Sequence, residues 1–145
     1  MASVEWLVLA DSAQVVGNKL FLMGGGWDVL TINSGFPVQH RMAIAAAFRV
    51  PWNETNQKHN SEIELRTEDG RSLLKIEGQF EVGRPPGIKG GQDQRMQFAA
   101  DLLVPILAPG TYVFAVKLEG QELYEAHFNV IAGPGVVLPQ PMSNG

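Results

Sequence analysis

Apolar residues in this chain recur at every second position, in short runs cut off by turn-forming residues, and this period most constrains the fold. Alternation of period 2 buries one face of a β-strand and cannot line up one face of a helix. In "SEIELRTEDGRSLLKIEGQFEV", Ile63 and Leu65 alternate with Glu62, Glu64 and Arg66. Asp69-Gly70 then offers the positive φ angles of a tight hairpin turn, and Leu74, Ile76, Gly78, Phe80 and Val82 share a face on the return. From Arg41 to Val50 one parity holds Met42, Ile44, Ala46, Phe48 and Val50, and the other holds Arg41, Ala43, Ala45, Ala47 and Arg49. The alanines suit a helix, but the alternation and Pro51 favour a strand.

The rest of the chain repeats this logic. Met96, Phe98, Ala100 and Leu102 form one apolar row, and Tyr112, Phe114, Val116 and Leu118 another; Tyr124, Ala126, Phe128 and Val130 form a third beyond a turn at Glu119-Gly120. Three further strands are expected at residues 4–10, 19–24 and 27–32, with "VGNK" as the turn between the first two. About nine strands and no helix, in a chain of 145 residues without internal repeats, mean one all-β domain, an antiparallel sandwich or barrel. "LAPGTY", Leu107 to Tyr112, has the Leu-any-Pro-Gly-any-Tyr pattern of the tyrosine corner, which selects a Greek-key β-sandwich and predicts that the Tyr112 hydroxyl bonds backbone near Leu107 or Ala108. With the following "VFAVKLEGQELYEAHFNVI", the last third resembles the closing hairpin of immunoglobulin-like domains, without the tryptophan and cysteine pair of antibody domains. The expected domain is residues 1–132, followed by a Pro/Gly-rich tail at 133–145. Its expected core holds Phe48, Ile63, Leu65, Ile76, Phe80, Phe98, Tyr112, Phe114, Phe128 and Val130.

A wider resemblance runs through "LADSAQVVGNKLFLMGGGWDVL", "PWNETNQKH", "EDG", "GRPPGIKGG" and "APGTYVFAVKLEGQELYEAHFNV". In this order the segments look like a family of short bacterial proteins, common in actinobacteria and known only as a domain of unknown function. The resemblance implies a β-sandwich and supplies no activity, cofactor or catalytic residue.

Composition narrows the function classes. Eleven basic against 15 acidic residues give a net charge of −4, with no basic cluster, which argues against nucleic acid or an anionic membrane as partner. Cysteine is absent, so disulfides, thiolate catalysis and thiolate metal sites are excluded. The N-terminal stretch lacks the basic start and long apolar core of a secretory signal, and no apolar run reaches the length of about 20 residues that spans a bilayer, so a cytoplasmic protein is expected.

The densest group of reactive side chains is "PWNETNQKH", where His59, Glu54 and Asn56 form the one constellation that an enzyme could use. The segment also reads as a connection whose asparagines bond local backbone while Trp52 lids one end of the core. His59 with Glu54, Glu62 or Glu64 falls short of a metal site, since both strand glutamates point outward and no second histidine is near. No serine lies in a nucleophile elbow; His127 has outward parity, and His40 has no acidic neighbour. Calcium would need clustered aspartates, which are scattered here. "MGGGWDVL" lacks the ending of a phosphate loop and reads as a bulge or corner. "GRPPGIKGGQDQR" brings Arg84, Lys89 and Arg95 to a proline-stiffened loop, and the tail carries the apolar cluster Val136, Val137 and Leu138.

These features favour a non-enzymatic protein-interaction or assembly module that contacts partners or copies of itself through Arg84, Lys89, Arg95, Val136, Val137 and Leu138, with no cofactor or metal. The second reading is a small-ligand or carbohydrate-binding sandwich using Trp27, Trp52, Asn56 and His59, with the tryptophans as stacking platforms. An enzyme built on the 52–59 loop is the third.

Overall fold

The computed structural model describes residues 1–138. Nine strands fill it: β1 (Ser3–Val16), β2 (Lys19–Gly25), β3 (Val29–Ile32), β4 (Val38–Val50), β5 (Lys58–Thr67), β6 (Ser72–Glu81), β7 (Gln94–Ile106), β8 (Gly110–Leu118) and β9 (Gln121–Ala132). One 3-10 turn, Trp52–Glu54, is the sole helical element among the described residues. No helix among them is long and apolar enough to cross a membrane.

The strands form two sheets, ordered β2-β1-β4-β7 and β3-β9-β8-β5-β6. All neighbouring pairs are antiparallel except β3–β9, where Val29 to Ile32 run parallel to Asn129 to Ala132. That pair departs from the uniformly antiparallel expectation: the chain enters β3 from the other sheet, at a corner where Gly24 and Gly26 take φ values of +58° and +85°, rather than through a hairpin.

The alternation places the core as expected. Met42, Ile44, Ala46, Phe48 and Val50 of β4 face Ile63, Leu65, Phe114, Val116, Phe128 and Val130 of the opposite sheet, all buried, while Ile76, Phe80 and Phe98 pack against this cluster from its margin. The tyrosine corner is present: Tyr112 is buried, its hydroxyl donates to the Ala108 carbonyl at 2.6 Å, and it accepts from the Leu107 and Ala108 amides at 3.2 Å each. At Asp69-Gly70 the turn is one residue longer than a tight hairpin. Thr67 and Arg71 close it by a 2.9 Å backbone bond, and Gly70 at φ +93° takes the left-handed position of a three-residue loop.

The alanine parity of β4 has its own partner. Ala43 and Ala45 are fully buried on the outer face of the four-stranded sheet, packed with Ala13, Trp6, Val8, Leu20 and Ala99. β1 runs beyond the expected Ala10 to Val16, and its second half with β2 forms a hairpin that lies across this face. Its turn is tied down by Gln97, whose side-chain amide donates to the Asn18 carbonyl at 2.9 Å. Small side chains let the hairpin approach; that is what the alanines are for.

Candidate functional site

The 51–59 stretch is a buttress, and its histidine belongs to a strand. β5 begins at Lys58, so His59 faces inward, is 3 % exposed, and stacks on Phe80 with ring centroids 5.3 Å apart. Its Nδ1 lies 3.0 Å from Glu119 Oε1 and its Nε2 lies 2.8 Å from the Glu54 carbonyl oxygen. Both ring nitrogens are therefore engaged by oxygen atoms of the protein itself. Glu54 contributes only its backbone here; its carboxylate pairs with the Met1 amino group at 2.5 Å. Among the described residues no three His, Asp or Glu side chains converge on a metal position.

Glu119 is the residue that the sequence reading left out of this cluster. It sits at φ +53° in the β8–β9 turn, and its carboxylate also accepts from the Asn60 amide at 3.1 Å. Glu119-Gly120 reads as a turn and nothing more in one dimension, because its contact with His59 spans 60 positions.

Trp52 does not lid the core. The Arg84 guanidinium lies 3.8 Å above its ring, donates to Thr55 Oγ1 at 2.6 Å and to the Trp52 carbonyl at 2.8 Å. Asn56 donates its backbone amide to the Val82 carbonyl at 2.7 Å and takes the left-handed φ of +59° that its side chain tolerates. Trp27 packs edge-on to Phe128 at 5.9 Å and forms part of the core wall. One residue of each expected set, Arg84 and Trp52, therefore meets the other.

The three cations of the 84–95 segment do not converge. Arg84 is held against Trp52, while Lys89 stands exposed at the loop tip. Arg95 lies within β7, where it and Arg49 clamp Glu5 at the bulge between Val4 and Trp6. The Arg95 hydrogen bond, with Arg49 assisting against partial burial, holds the Glu5 carboxyl down at about 2. The outer face of the other sheet carries a second charge lattice. Glu64 is buried beneath Arg66 and Lys75, and the Arg66 hydrogen bond first, then that of Ser72 and the Lys75 charge, keeps its carboxyl below the usual carboxylate range against the opposing effect of burial.

Exposed apolar side chains gather instead on the β1–β2 hairpin. Phe21 and Met23 alternate with Leu20, which packs on the alanines, and so point to solvent at 56 % and 73 % exposure. Val16 and Leu22 are exposed beside them. The tail turns at Gly133, whose carbonyl accepts from the Val136 amide at 3.2 Å. Val136, Val137 and Leu138 line a cleft with Asn33 to Pro37, Val137 and Leu138 being exposed; tail residues 139–145 lie outside the described residues.

Fold and surface together define a β-sandwich in which His59, Arg84 and Arg95 are engaged by the protein's own groups and the β1–β2 edge hairpin exposes apolar side chains. The chain belongs to the Family of unknown function (DUF6941), which matches residues 5–131. No curated protein matches it in sequence. Solved structures similar to it include the C-terminal domain of wzt, at 14 % identity and a TM-score of 0.47, covering 90 % of this chain and 73 % of that one. A β-glucosidase from Listeria innocua in complex with glucose is similar at 10 % identity and a TM-score of 0.41, over 94 % of this chain and 17 % of that one. A glycosyl hydrolase family 2 member from Bacteroides cellulosilyticus follows at 10 % identity and 0.40, over 66 % of this chain and 13 % of that one. These are distant likenesses, and no activity named in them transfers to this chain.

Proposed function

We propose that the protein is a non-enzymatic assembly module that associates through the free edge of β2, adding the same strand of a second copy to its four-stranded sheet. The observation that carries this reading is the concentration of Val16, Phe21, Leu22 and Met23, all exposed, on one terminal hairpin. Free sheet edges normally carry charge, proline or a covering loop that blocks pairing. From Leu20 to Gly26 this edge has none of these residues, and an antiparallel pairing of β2 with itself brings no like charges together there. A two-fold axis makes such a contact self-complementary. Phe21 and Met23 supply the large, adaptable apolar groups that interfaces favour. The tail's Val137 and Leu138 offer a smaller second contact at another part of the surface. His59 supports the non-enzymatic reading because both its nitrogens are engaged.

Native mass spectrometry and sedimentation across a dilution series test the proposal. The wild type is expected to dimerise, and Phe21→Lys and Met23→Lys to yield folded monomers, since both side chains point away from the core. A monomeric wild type, or a dimer indifferent to both substitutions, overturns it.

A further inference from the structure

We infer that the gap between β6 and β7 at Gly78 is a binding slot for a small uncharged apolar group, the size of one aromatic ring or a short alkyl chain. One pair in an otherwise filled row of side chains is empty there. Along β5 and β6 the inward-facing partners are Leu65 with Leu74, Ile63 with Ile76, Ser61 with Gly78, and His59 with Phe80. Three pairs carry large side chains, whereas Ser61 and Gly78 leave a cavity of about 100 Å³ beside them. Phe48, Ile63, Ile76, Phe80, Met96 and Phe98 line it, with Glu77 and Gln79 of β6 flanking Gly78. No charged side chain is aimed into it, because Glu77 and Gln79 have the outward parity of β6. The Ser61 hydroxyl is turned to the Gly78 carbonyl at 3.3 Å.

Glycine inside a strand usually marks a bulge, a strained backbone, or a place where something approaches closely. The first two uses do not apply at Gly78. The β5–β6 register is regular there, its single irregularity lying at Leu65/Arg66. Its φ lies outside the left-handed region, and a Cβ built on it would meet only Ser61 Oγ, at an unstrained 3.7 Å. A larger residue would fit and would strengthen an edge strand, so the open space is what glycine provides.

The slot has an entrance that costs no sheet hydrogen bonds. β6 ends one sheet and β7 ends the other, on the same side of the sandwich. A ligand can pass between these two edges without separating a paired ladder. An apolar cavity of roughly 150 Å³ stays dry and takes up benzene or xenon. The slot here is somewhat smaller, but Met96 is unbranched and can shift to enlarge it.

Benzene and xenon serve as probes on the intact chain. In methyl-resolved NMR, benzene is expected to shift the Met96, Ile63 and Ile76 methyl groups saturably, and xenon-pressurised crystals to show a peak between Gly78 and Phe98. Gly78→Val should abolish both responses while leaving the melting temperature of the free protein equal or higher. Non-saturable shifts, shifts centred on Met23 of the exposed hairpin, or unchanged binding in Gly78→Val each overturn the inference. If Gly78→Val does not fold, Met96→Phe narrows the same slot from β7 and is read in the same way; an absent response in the wild type overturns the inference whatever the variants do.

Discussion

Two residues carry contributions that can be isolated by single substitutions. The Tyr112 hydroxyl satisfies two amides and one carbonyl at the crossing between the sheets. Tyr112→Phe removes it and keeps the ring stacked on Phe128, so the loss is that of buried backbone groups left unpartnered, about 1–3 kcal/mol. Urea denaturation should show a lower midpoint with an unchanged slope. Glu5 makes a pH-dependent contribution. Its carboxyl, held at about 2 by Arg95 and Arg49, sits well below the ordinary value of 4.5. A depressed folded-state value means that the stabilisation is fully present above the ordinary value and is lost as pH falls from there toward 2. The ion pairs are partly solvated, which limits their worth to about 1 kcal/mol. The stability difference between the wild type and Glu5→Gln, measured by urea denaturation, should be constant above pH 5 or so and close progressively below it.

At the scale of elements, the hairpin of β1 and β2 depends on the smallness of what lies beneath it. Ala43 and Ala45 are fully buried although they face away from the main core. Ala45→Leu would need space that Ala13 and Leu20 occupy, and overpacking of this kind costs about 1–3 kcal/mol. The expected signature is local: faster amide exchange across residues 12–25, with the amides of β8 and β9 still protected. Uniformly faster exchange would mean that the hairpin is not a separable layer. Gln97 is the second anchor, since its amide reaches the turn at Asn18.

For the whole molecule, the described part of the tail lies against the sandwich without entering its hydrophobic core. Among the described residues the buried hydrophobic cluster includes none beyond Val130, and β9 ends at Ala132. The first tail residue adds one bond, from the Gly133 amide to the Ile32 carbonyl at 2.8 Å, beside the parallel β3–β9 pair. Truncation after Ala132 should therefore leave a folded sandwich that has lost about 1 kcal/mol. Its association should be weakened far less than by Met23→Lys, because the tail patch is the smaller contact. Thermal melts and sedimentation of the truncated chain beside the full one check both outcomes.

Strand identity, the core row of β4, the tyrosine corner and the turn positions were legible in the sequence because each rests on neighbours two to five residues apart. Alternation decides which face of a strand is apolar, and Pro-Gly before Tyr112 decides how the chain turns. The functions of the polar residues were not legible, since they depend on partners far along the chain. His59 reads as a loop residue until Glu119 is brought to it, and Arg95 reads as a free cation until Glu5 lies opposite across the intervening β4. The alanines of β4 look like an exposed face until the hairpin covers them. The same holds for Gly78: the sequence shows a glycine on an apolar row, and only the meeting of β6 with β7 makes the missing side chain an opening. Local periodicity fixes elements, while the pairing of distant edges decides which side chains are engaged and which remain free.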